Sequence, residues 1–304
     1  MARKFLYLLV ASVLFFGTTG SGGFQSSCIP VTNPFTFSNL QWNVRSTSGG
    51  PGSNSKWDPQ NVCIDSNGWL HLKISRKRNG LWSSAQVSTV EKYGFGKYEL
   101  FVVGQVDQLD KNVTLGMFNY AGGEDCTNEI DIELGNLGSS RNGHFTVYPA
   151  TSCPNCSITC ANLLTGRTCS NCANAGNKYC TQPYSFSLSG TYTTQRFTWN
   201  SKSVYFQSLN GHRTDNGHQI ASTKYVPLTN AVKYIPQSPM PFYINYWVAD
   251  AKIGPSDGET VPPEIIIKSF TYTSADTSSS RSPTSLPGSA GGDDPEQMEK
   301  EAIK

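Results

Sequence analysis

The chain has 304 residues, a formal net charge of +2, 15% charged residues and 12% aromatic residues. That is the profile of a globular chain, long enough for one large β domain or two small ones. The near-neutral balance, with Arg3 and Lys4 supplying part of the small excess, excludes the electrostatic footprint expected of a nucleic-acid binder or of a protein held on an anionic membrane.

Arg3 and Lys4 precede an apolar run from Phe5 to Phe16 and a stretch of small residues through Gly23. Residues 1–23 read as a secretory signal peptide. The apolar run is about a dozen residues, too short for a bilayer core of roughly 30 Å, and no later stretch qualifies. The expectation is a soluble, extracellular protein. All nine cysteines (28, 63, 126, 153, 156, 160, 169, 172 and 180) lie beyond residue 23, where an oxidising compartment favours disulfides. The odd count leaves at least one thiol free or intermolecular.

From Cys28 to Gln60 the composition is that of a loop rich in Ser, Asn, Gly and Pro, with Trp42 and Trp57 packed beneath it or lining a groove. Trp69 to Ser75 alternates cleanly, with Leu70, Leu72 and Ile74 inward, and predicts a half-buried strand. Residues 84–103 predict two strands flanking Tyr93-Gly94-Phe95-Gly96, whose glycines permit a tight turn. Val113 to Tyr120 is the next strand, and residues 121–125 turn the chain into Asn128-Glu129-Ile130-Asp131-Ile132-Glu133-Leu134.

Further strands are predicted at Gly143 to Tyr148, Arg196 to Trp199, Val204 to Ser208, Met240 to Val248 and Glu264 to Thr273, with Asn210-Gly211 a hairpin-turn signal. No long segment has helical period. Many short strands separated by Gly, Asn and Pro turns specify an all-β, antiparallel sandwich or barrel, one domain over residues 24–274. The remaining residues, 275–304, are a Ser/Pro/Gly-rich tail that cannot bury a core and is expected to be disordered.

Within that frame the acidic strand stands out. Successive strand side chains alternate faces, so Ile130, Ile132 and Leu134 point to a core while Glu129, Asp131 and Glu133 share the other surface. Three like charges in a row raise the cost of ionising all of them, which a stability-driven sequence avoids. Such a row marks a working site.

Four strand steps at roughly 3.3 Å put the Cα atoms of Glu129 and Glu133 about 13 Å apart. Side chains leaning together bring the carboxyl groups to roughly 5 Å, the separation of a retaining glycosidase. One carboxylate then attacks the anomeric carbon, while the other protonates the leaving oxygen and later activates water. Asp131 between them tunes both and helps keep the acid protonated. A hard cation is the chemical competitor, but calcium takes six to eight oxygens and carboxylates about 6.5 Å apart along a strand converge poorly. Neither a metal nor a cofactor is called for.

Glu129-Ile130-Asp131-Ile132-Glu133, together with Tyr93-Gly94-Phe95-Gly96-Lys97-Tyr98-Glu99, Phe197-Thr198-Trp199 and Asn245-Tyr246-Trp247, resembles glycoside hydrolase family 16 over roughly residues 60–273. The short, unbulged motif is similar to that of lichenases, xyloglucan transglycosylases and fungal wall transglycosylases. The resemblance implies a concanavalin-like jelly roll with an open substrate cleft, Glu129 as nucleophile, Glu133 as general acid/base and Asp131 as the residue that tunes them. It also implies that Glu99, Asn245 and Trp247 face the sugar. The sequence departs from the lichenase pattern at Thr127, where a Trp is usual, and at Phe101, where an Arg is usual, so the particular glucan is not specified.

Cys153 to Cys180 forms a Cys-rich insertion. Its two Cys-x2-Cys pairs are spaced as in a zinc ribbon, but the secretory signal together with Cys160 and Cys180 favours disulfides, with 15 connectivities open for six cysteines. The insertion either borders the cleft or is a stapled surface loop. Asn112-Val113-Thr114 and Asn155-Cys156-Ser157 are glycosylation sequons. Of the four histidines, His144 lies nearest the acidic strand.

The leading expectation is a secreted, monomeric endo-glycosidase whose partner is a polysaccharide of the β-glucan class. A transglycosylase would use the same residues, and a glucan-binding lectin would dispense with one of the two glutamates.

Overall fold

The computed structural model describes residues 28–121, 128–148, 158–161, 168–169, 180–227, 231–256 and 262–275. Residues 1–23, read above as a signal peptide, most of the Cys-rich insertion, Thr127, Asn155 and the tail beyond residue 275 lie outside the described residues.

Two antiparallel sheets face each other. The front sheet runs, in spatial order, Cys180–Tyr184, Gly143–Tyr148, Glu129–Leu134, Val113–Tyr120, Phe242–Val248, Ala85–Thr89, Leu40–Val44 and Phe35–Phe37. The back sheet runs Ile29–Pro30, Val62–Ile64, Leu70–Leu72, Ile265–Ser274, Gly96–Val103, Tyr192–Asn200, Ser203–Asn210, Gln219–Pro227, Ile158–Ala161 and Thr168–Cys169. Helix among the described residues is limited to the turn Ala231–Tyr234 and a 3-10 turn at Pro59–Asn61. Of the sandwich and the barrel that the strand pattern left open, the structure is the sandwich, with the jelly-roll form that the family resemblance implies.

The alternation that predicts strands also builds the core. Ile130, Ile132 and Leu134 are fully buried, beside Leu115 and Met117 on one neighbouring strand and Phe145 and Val147 on the other. Rings from the two sheets meet directly: Phe242 stacks on Phe270 at 4.5 Å and Phe145 on Phe206 at 5.1 Å. Burying that apolar area is what holds one sheet on the other.

Two expectations needed correction. The segment read as loop, 28–60, contains three short strands, and Trp42 is a core residue whose Nε1 donates to Phe37 O at 3.0 Å. Ser38 and Asn39, at φ 50° and 62°, make the two-residue connection of a hairpin in which Phe37 faces Leu40. Asn210-Gly211 is not a tight hairpin, because the strands it separates are joined across residues 211–218. That loop is drawn onto the back sheet by Arg213 N donating to Thr194 Oγ1 and by His212 stacking on Phe101.

A disulfide joins Cys28 to Cys63 and ties the first described residue to the back sheet. Cys160 and Cys169 are register partners in the insertion's hairpin, which extends the edge of the back sheet beyond Gln219–Pro227. The insertion returns at Cys180–Tyr184 to pair with Gly143–Tyr148 in the front sheet.

Candidate active site

Directly opposed residues of an antiparallel pair share a face, so the register gives the layout of the front sheet's outer surface. Glu133 stands opposite His144 on one side and Gly116 on the other, and the row continues to Asn245 and Gln86. Asp131 lies between Thr146 and Phe118, with Tyr243 and Ser88 beyond. Glu129 lies between Tyr148 and Tyr120. The three carboxylates thus occupy successive rows on a surface turned away from the core. Asp131 is buried, whereas Glu129 and Glu133 are partly open.

Burial among these strands pushes the Glu133 carboxyl up to about 7. Near neutrality about half of it therefore still holds a proton, and more does on the acid side of pH 7, which is the state a general acid needs. Beside the carboxylates an aromatic floor is laid down by Phe118 and Tyr243, stacked at 5.1 Å, with Tyr120 edge-on to Tyr243 at 6.3 Å. Such rings suit the apolar C–H faces of a sugar.

Two side-chain amides complete the Glu133 row. Asn245 Oδ1 accepts from Gly116 N at 3.1 Å, and Gln86 Oε1 accepts from Arg45 Nη1 at 3.3 Å. With each carbonyl engaged, the NH2 ends are left to donate to a ligand. Gly116 makes this packing feasible, since a Cβ there would stand 2.4 Å from Asn245 Oδ1. Arg45 is itself fixed, with its guanidinium 4.8 Å above the Trp57 ring and donating to Gly50 O.

One row past Glu133, Thr114 faces Trp247. Here a groove of about 820 Å³ opens, lined by Ser53, Lys111, Asn112, Leu137 and Trp247 among others. Trp247 is buried and its Nε1 finds no hydrogen-bond partner among the described residues. Asn112, the sequon residue, donates to Gly254 O at 3.1 Å in the groove wall.

The structure brings Glu129, Asp131, Glu133, Asn245 and Trp247 onto one sheet. It does not bring Glu99 there. Glu99 belongs to the back sheet, where Tyr98 and Leu100 take the core side and leave it on the outer face. Its Oε2 accepts from Arg196 Nη1 at 3.0 Å and contacts Lys97 Nζ at 2.7 Å. Phe101 shares that face, so both residues lie on the sheet opposite the one that carries the three carboxylates. Gln86, Phe118, Tyr120 and Tyr243 were missed from the sequence. His144, which the sequence placed merely near the acidic strand, is the direct neighbour of Glu133. It is buried, and burial lowers its pKa, so it is neutral at physiological pH.

The fold is that of β-glucanases of glycoside hydrolase family 16. A Bacillus licheniformis β-glucanase matches with a TM-score of 0.51 at 19% identity, over 83% of this chain and 99% of its own. A family 16 endo-glucanase from Bacteroides ovatus, solved in complex with G4G3G-2F-DNP, matches at 0.52 and 14% identity, over 79% and 97%. A Mycobacterium tuberculosis protein described as an immunostimulatory antigen and pseudo β-1,3-glucanase matches at 0.52 and 18% identity, over 76% and 89%. No family model and no curated protein matches the sequence. The likeness is therefore one of fold, and the chemistry rests on this chain's own residues.

Proposed function

We propose that the protein is a secreted, retaining endo-glycosidase that hydrolyses a β-linked glucan with 1,3-1,4 or 1,3 linkages. The observation that carries this reading is the acidic strand itself: Glu129 and Glu133 open to one surface, Asp131 buried between them, and the Glu133 carboxyl raised by its surroundings to about 7.

In the first step a Glu129 oxygen bonds to the anomeric carbon as the glycosidic bond breaks, and Glu133 gives its proton to the departing oxygen. In the second, Glu133, now a carboxylate, takes a proton from water. That water's oxygen bonds to the anomeric carbon, and Glu129 leaves as a carboxylate. Asp131 lies between the two glutamates on the same face of the strand, where its short carboxyl is placed to tune them. The aromatic floor and the amides of Asn245 and Gln86 hold the sugars. Secretion is supported by the N-terminal charged and apolar segment and by the Cys28–Cys63 disulfide.

One observation favours a second reading. A protein of this fold carries the description pseudo β-1,3-glucanase, so a glucan binder on the same scaffold is the rival. Following product sizes from mixed-linkage glucan, laminarin and xyloglucan separates the outcomes. Shorter chains alone mean hydrolysis, longer chains mean glycosyl transfer, and retention without new products means binding.

A further inference from the structure

The strand that carries Glu133 ends in a turn, Asn136-Leu137-Gly138-Ser139, closed by Ser139 N donating to Asn136 O at 2.7 Å. Its two central residues have φ of 46° and 74°. A turn with both central residues left-handed is built from Asn, Asp or Gly, because a Cβ crowds the backbone in that region. Gly138 fits that rule and Leu137 does not.

Leucine is held there by its surroundings. Gly135 N donates to Asn142 O at 3.0 Å, and Asn142 Nδ2 donates to Asp107 O at 3.0 Å and Phe186 O at 2.9 Å. Phe186 N returns a bond to Asn142 Oδ1 at 2.9 Å. His144 is buried below, its ring against the backbone of Gly135, Asn136 and Arg141. The turn is thus pinned from both ends and from beneath, yet Leu137 remains 39% exposed. An exposed leucine alone needs no explanation. This one also occupies a backbone conformation that disfavours it, on the wall of the groove that Trp247 shares, one row from Glu133. Strain of this kind persists where function requires the side chain.

We propose that Leu137 is a substrate-contacting residue: its side chain packs on the apolar C–H face of a glucosyl unit seated in the groove beside Glu133, and so sets how tightly that unit is held. This inference rests on the β-glucan reading above and assigns a contact specific to this chain.

The test uses Leu137→Gly and Leu137→Asn in the full chain. Both residues suit a left-handed turn, so the thermal midpoint should hold or rise. KM for a β-glucan oligosaccharide that fills the cleft should rise about fivefold, the cost of losing one or two methyl contacts, with kcat changing less. In a Glu129→Gln background, calorimetry should show Kd for the same oligosaccharide weakened by a similar factor.

Folded variants with unchanged KM and Kd overturn the proposal, as does a fall in thermal midpoint, which would make Leu137 a packing residue. If the wild type cleaves glucan and the variants match it, only the Leu137 assignment fails. If the wild type neither binds nor cleaves any β-glucan, the parent reading fails and takes this one with it.

Discussion

Replacing Glu133 by Gln removes a carboxyl that folding forces to keep its proton, and the consequence for stability can be worked out. In the unfolded chain the group titrates at its ordinary value of 4.5, and in the folded protein at about 7. Between those values the folded state binds a proton that the unfolded state lacks. Stability therefore falls as pH rises through that window and is level above it. At 1.36 kcal/mol per pH unit the full difference corresponds to about 3 kcal/mol. Glu133 as a whole residue is only partly buried, so the expected loss is smaller, about 1–2 kcal/mol.

Glutamine carries no such cost. Glu133→Gln should be nearly isostable with the wild type at pH 4 and more stable by about 1–2 kcal/mol at pH 8, as read from urea unfolding at the two pH values. The same variant should lose about a hundredfold or more in kcat on glucan, the usual contribution of a general acid. The wild-type kcat/KM should decline on the alkaline side of pH 7. Equal stability of the two proteins at pH 8 would refute the argument that burial raises the Glu133 carboxyl, and with it the assignment of Glu133 as the acid.

Two further predictions concern residues away from the cleft. Glu99→Gln should lower the thermal midpoint, because it leaves the buried Arg196 without its carboxylate, while KM and kcat on glucan stay within twofold; a large change in KM would return Glu99 to the binding surface. On the back sheet, His71 contacts Glu264 Oε1 at 2.8 Å and Asp65 Oδ2 at 3.4 Å, with Lys73 Nζ 3.1 Å from the same Glu264 oxygen. Burial opposes charge on His71, but the hydrogen bonds and charges of Glu264 and Asp65 outweigh it and raise its pKa. Its contribution is full below about 6.5 and is lost as pH rises through the raised value, so His71→Gln should cost more stability at pH 6 than at pH 9; a pH-independent cost would contradict the ion-pair reading.

How far the sequence carried this description depended on the kind of information each feature needs. Period-two alternation around Ile130, Ile132 and Leu134, or around Phe242, Ile244, Tyr246 and Val248, is local, and it fixed both the strands and their buried faces. The three carboxylates were legible for the same reason. Alternation does not say in which sheet a strand sits or which way its polar face turns. Glu99, between Tyr98 and Leu100, has the same local pattern as a cleft residue, and its ion pairs with Lys97 and with Arg196 on the adjacent strand emerge only in the fold. Gln86 was missed for the complementary reason. Nothing in Ala85–Thr89 is unusual, and its role emerges only when Ala85–Thr89 pairs with Phe242–Val248 to place Gln86 opposite Asn245. Leu137 needed backbone torsion angles, which no composition rule supplies.

The central claim is that Glu129 forms a covalent bond to the sugar. Incubating the full-length protein with an activated 2-deoxy-2-fluoro glycoside of a β-glucan oligosaccharide, digesting it and sequencing the peptides by mass spectrometry tests this directly. A glycosyl adduct on Glu129, formed in the wild type and absent in Glu129→Gln, is the predicted result. Glucan hydrolysis by the wild type with no adduct, or with the adduct on Asp131 or Glu133, would contradict the account.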